Sequence, residues 1–166
     1  MHPATVGSPI FGILWKNQYG AKEKWYAKPL VYTPPGQSQL VFLASSMNII
    51  RTVDAVNGTL LNSRTVQPPF LQSDIGCTDI PDFIGIIGTP ILDPTTNTVY
   101  FFSKGYRGGA AFGGVSNGAK LLFFLNTADN ISGIYKFFAV DVLTLQDKLG
   151  FPVLIDGSFA DNDNSR

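Results

Sequence analysis

Three carboxylates crowd the single cysteine of the chain: Asp74, Cys77, Asp79 and Asp82 fall within nine positions. A nucleophilic cysteine needs a base and a lowered pKa. The only histidine is His2, at a terminus, and neighbouring carboxylates favour the neutral thiol. Cys77 therefore reads as a buried structural cysteine. The acids carry a second chemistry, because clustered oxygen ligands hold hard cations such as calcium. Asp74, Asp79 and Asp82 are thus the candidate metal ligands, with solvated turn aspartates as the alternative. Asp161-Asn162-Asp163-Asn164 begins like a calcium loop but lacks its sixth-position glycine and closing glutamate, so it reads as a polar end.

Other residues suggest binding. Asn57-Gly58-Thr59 and Asn130-Ile131-Ser132 are sequons, which makes Asn57 and Asn130 glycosylation acceptors if the chain is secreted. Trp15, Trp25, Tyr100, Phe101 and Phe102 could line a sugar- or ligand-binding face, or, at strand spacing, fill a core. The glycine-rich stretches at Gly105 to Gly109 and Gly113-Gly114 lack the Lys-Ser/Thr ending of a phosphate cradle, which argues against nucleotide binding. No catalytic constellation and no cofactor site emerges.

Bulk composition narrows the classes further. The 166 residues are 45% hydrophobic and 14% charged, enough for one domain with a real core. Twelve basic and twelve acidic residues cancel, and neither sign forms a block, so neither a nucleic-acid partner nor polybasic membrane attachment is expected. No apolar run reaches the ~18 residues of a spanning helix. Met1 to Thr5 lacks the basic and apolar regions of a signal peptide, and an extracellular site for a longer parent stays open.

The elements that would position these residues are strands. Leu30-Val31-Tyr32, Leu40 to Ala44, Ile49 to Val53 and Leu60-Leu61 are short runs rich in β-branched and aromatic residues. Turns at Pro34-Pro35-Gly36 and Asn57-Gly58 separate them. The pattern recurs. Lys28 to Tyr32 matches Thr89 to Asp93, Leu40 to Ser45 matches Val99 to Lys104, and Ile50 to Asp54 matches Phe137 to Asp141. In both copies a proline opens the first strand, where its missing N–H costs no ladder bond. An aspartate ends the third, where it can accept N–H bonds from the following turn. Repeated four-stranded units of this size predict propeller blades.

Asp54 comes 25 positions after Pro29 and Asp141 comes 51 after Pro90, so the second copy carries an insert between about 105 and 133. One reading is a long hairpin loop with an extra strand or short helix. The other is that residues near Ala119 to Ser132 are unspliced sequence, since Asn117-Gly118 could join directly onto Ile134-Tyr135.

Ala27 to Tyr32, Leu40 to Ala44, then Val53-Asp54-Ala55 with Gly58, and above all Cys77 to Pro81 followed by Ile84 to Pro94, carry a resemblance. The chain resembles the pyrroloquinoline-quinone-like (quinoprotein-like) β-propeller repeats, including microbial and fungal members, over about residues 25–105 and 134–157. The resemblance implies a propeller fold and says little of activity. The quinoprotein dehydrogenases of that superfamily carry a docking tryptophan four residues after the turn glycine, where Asn62 stands here. No glycine stands in the turn after Asp141, Val142 to Gln146, and the residues that hold quinone, calcium and a vicinal disulfide have no counterparts.

The expectation is therefore an all-β, incomplete β-propeller of about two to three four-stranded antiparallel blades in a single domain, 1–166. The first blade falls at about 27–64, the second at about 84–157, and a polar tail at 158–166. The expected role is a non-catalytic binding or interaction scaffold, part of a larger propeller protein. Its partners would be missing blades, or self-association or a protein docking through exposed strand edges. The alternative is part of a quinone-dependent oxidoreductase, which would require pyrroloquinoline quinone and calcium.

Overall fold

The computed structural model describes residues 7–8, 12–75, 78–107 and 133–155. It is all-β, with two four-stranded antiparallel sheets, neither of which closes on itself. The first sheet runs in chain order: β1 (Leu30–Tyr32), β2 (Leu40–Ala44), β3 (Ile49–Asp54) and β4 (Leu60–Thr65). A connection carrying a two-stranded hairpin follows, β5 (Phe70–Leu71) and β6 (Phe83–Ile84), with a 3-10 turn at Gln72–Asp74 between its strands. The second sheet is again a meander: β7 (Ile91–Asp93), β8 (Thr98–Tyr106), β9 (Gly133–Asp141) and β10 (Val153–Ile155). Ile84 thus belongs to the connecting hairpin, and the second sheet begins at Ile91. Pairing of Tyr106 with Gly133 puts the two ends of the predicted insert opposite one another on β8 and β9. Residues 108–132, and with them both readings of the insert, lie outside the described residues.

Aspartate ends the third strand in each sheet for the expected reason. Asp54 Oδ1 accepts the Val56 and Asn57 N–H groups at 2.8 and 3.0 Å, and Asp141 Oδ1 accepts those of Leu143 and Thr144 at 3.0 and 3.1 Å. The turns close alike. Gly58 donates to Asp54 O at 2.9 Å with φ +74°, and Leu145, also four residues past its aspartate, donates to Asp141 O at 2.8 Å with φ +58°. A left-handed leucine costs about 1–2 kcal/mol. Complete burial of its side chain offsets that cost. Leucine where the first sheet has glycine therefore leaves the turn intact.

Register shows how the two sheets correspond. Tyr32, Leu40 and Asp54 share one rung of the first sheet, and Asp93, Thr98 and Asp141 share one rung of the second. Moving away from the aspartate, Val31–Val41–Val53 corresponds to Leu92–Val99–Val140, and Leu30–Phe42–Thr52 to Ile91–Tyr100–Ala139. Sequence matching paired Leu40 with Val99, which is one residue out: Leu40 corresponds to Thr98. The slip matters because strand side chains alternate, so a shift of one exchanges the faces.

Placed by rung, unlike faces meet. The first sheet contributes Leu30, Leu40, Phe42, Ala44 and Ile50 to the main core, while the second contributes Leu92, Val99, Phe101, Phe138 and Val140 from its opposite face. Phe42 lies 6.3 Å from Phe101, which stacks on Phe138 at 5.3 Å. Burying each such side chain stabilises by about 1.5–3 kcal/mol. Polar bonds fix the same interface from the edge: Asn62 donates to Leu143 O at 2.8 Å, and Arg64 to Leu145 O at 2.7 Å.

Candidate functional site

Among the described residues, those singled out for chemistry are not drawn together. Tyr106 donates its hydroxyl to Asp74, accepts the Leu71 N–H at 2.8 Å and stacks on Phe70. Burial, with the Asp74 carboxylate next, holds the Tyr106 phenol well above its ordinary range. Asp82 faces Lys22 at 4.0 Å, while Asp79 is exposed. Among the described residues no three His, Cys, Asp or Glu side chains form a metal-holding group. Cys77 and the sequon residue Asn130 lie outside the described residues. Asn57 is exposed in its turn, its Oδ1 accepting the Thr59 N–H at 2.8 Å.

Two aromatic surfaces remain, and the predicted aromatics divide between them and the core. Phe101 is core. Trp15 and Trp25 belong to residues 15–27, a strap laid across the outer face of the first sheet. The Trp15 indole donates to Ala55 O at 2.9 Å, and Asn17 donates to Gly58 O at 2.7 Å. Only glycine fits at position 58, because a Cβ there would stand 2.7 Å from the Trp15 ring. Under the strap, Arg51 forms a two-pronged ion pair with Glu23, and its guanidinium lies 4.2 Å from the Tyr19 ring centre. Both charges are buried. A shallow groove of about 280 Å³ runs between Trp15, Tyr19, Trp25 and Leu43.

The second surface is the outward face of the second sheet. Ile91 (70% exposed) and Phe102 (54%) stand there with Tyr100 and Phe137, around an open cleft of about 330 Å³. Phe137 stacks on Tyr100 at 5.9 Å and meets Phe102 at 4.8 Å, and Phe151 packs edge-on against Tyr100 and Phe137. The cleft wall is almost wholly apolar, suited to excluding water from another surface and not to moving protons.

Arg51 and Glu23 escaped sequence reasoning, although an arginine inside Ile49-Ile50-Arg51-Thr52-Val53 is an anomaly that calls for a buried partner. Phe137, like Arg51, registered only as one position of the repeat. No protein-family model, curated protein or solved structure matches the chain.

Proposed function

We propose that the chain is a segment of a β-propeller that serves as a non-catalytic binding scaffold. The observation that carries this is the packing of two equivalent four-stranded meanders through unlike faces. Contact between unlike faces can be repeated from unit to unit, whereas contact between like faces ends at a pair. A stack of such units is how blades build a propeller. The two surfaces described above are largely aromatic and apolar.

An oxidoreductase dependent on pyrroloquinoline quinone fits the residues less well. A quinone bearing carboxylates calls for guanidinium donors. Among the described residues, Arg51 is committed to Glu23, Arg64 to Leu145 O and Asp147, and Arg107 is engaged as well. The test is to titrate the purified chain with pyrroloquinoline quinone and calcium, following bound-quinone absorbance and dye reduction. No saturable change is expected. A saturable absorbance with turnover would overturn the scaffold assignment.

A further inference from the structure

We infer that the outward face of the second sheet is the docking surface for a third four-stranded antiparallel unit, seated on it as the second sheet is seated on the first. Resting on the stacked-unit reading above, it specifies the next interface and its occupant.

Correspondence by rung supplies the argument. In the first sheet, Leu30, Phe42, Ala44 and Ile50 lie beneath the second sheet. Their counterparts in the second sheet are Ile91, Tyr100, Phe102 and Phe137. These four residues line the open cleft. The exposed surface therefore continues an interface already formed one unit earlier. Exposed apolar patches of this kind mark contact sites.

The same correspondence states the chemistry of the occupant. It must present a flat, mostly β-branched and aromatic face, as Leu92, Val99, Phe101, Phe138 and Val140 do toward the first sheet. It will be held with fewer hydrogen bonds. The place of Arg64, which anchors the Leu145 carbonyl, is taken by Val153. The place of Tyr32, which donates to Pro94 O at 3.1 Å, is taken by Asp93, itself engaged by Thr95 and Thr96. A second copy of the chain is a poor occupant, because the matching face of its first sheet carries the strap with the Arg51–Glu23 pair.

The test appends a second copy of residues 66–155 to the full chain, in a background with Cys77→Ser and Ile91→Cys in the original unit. Labelling of the thiol at position 91 should slow by about tenfold or more relative to the unextended chain, as expected for a site reached only by local opening. The appended sheet should also gain hydrogen-exchange protection, since a lone blade-like sheet does not bury its own faces. Combining Tyr100→Ser with Phe102→Ser in the original unit should remove both effects. Equal labelling rates, or an appended copy without protection, would overturn the inference. So would a slow rate already present in the unextended chain: dependence on protein concentration would make a second copy the occupant, and independence the chain itself. Protection of β2, β3, β8 and β9 reports separately on the two-sheet packing, so its loss would count against the stacked-unit reading instead.

Discussion

Leu145 shows how a departure from a sequence pattern leaves the structure in place. Its φ of +58° matches the role of Gly58, and its side chain is buried. Leu145→Gly relieves about 1–2 kcal/mol of backbone strain but gives up a core leucine, whose truncation costs about 2–5 kcal/mol. A net loss of about 2 kcal/mol is expected in urea denaturation. Asp141 was legible in the sequence because turn capping is local. Partial burial raises its pKa, but the Lys148 ammonium at 2.8 Å and the Thr144 and Leu143 N–H groups outweigh that, leaving it below 3.8. With the folded value depressed, its stabilisation is fully present above the unfolded pKa and is lost as pH falls through the folded one. Asp141→Ala should therefore cost about 1 kcal/mol at pH 7. That gap to the parent should narrow steadily below about pH 4 in denaturation series. Leu145 was opaque for the opposite reason: nothing in Val142 to Gln146 signals a left-handed residue.

At the level of elements, the strands and turns could be read because β-branched runs and Gly/Pro/Asn punctuation are properties of neighbours in sequence. Register could not. The apolar run of the second copy starts at Val99, which invites its match with Leu40, yet Thr98 is the residue that pairs with Asp141. Only pairing with distant strands reveals the offset. The strap was equally hidden, since residues 15–27 contain no strand and its key contacts reach to Arg51, Ala55 and Gly58. Its buried pair makes a sharp prediction. Arg51→Met alone should destabilise by about 3–5 kcal/mol because Glu23 is left as an unpaired buried charge. Adding Glu23→Leu should recover most of that loss. Denaturation of the two single variants and the double checks this, and additive losses would show that the pair is not coupled.

At the scale of the molecule, the unlike-face contact between the two four-stranded sheets sets what each of their outer faces carries. It buries Phe42 against Phe101, leaves the strap on one outer face and leaves Ile91, Tyr100, Phe102 and Phe137 on the other. Three aspartates close together in sequence made the candidate metal ligands, with solvated turn aspartates as the alternative; in the fold Asp74 is bonded to Tyr106 and Asp82 faces Lys22. Which face of the second sheet Phe42 touches is the point on which the scaffold assignment turns. Nuclear Overhauser spectroscopy with selectively labelled phenylalanine and tyrosine rings reads it directly. Cross-peaks from the Phe42 ring to Phe101, with none to Tyr100 or Phe102, are the expected result. Cross-peaks from Phe42 to Tyr100 or Phe102 would show that like faces meet, and two stacked propeller units would be contradicted.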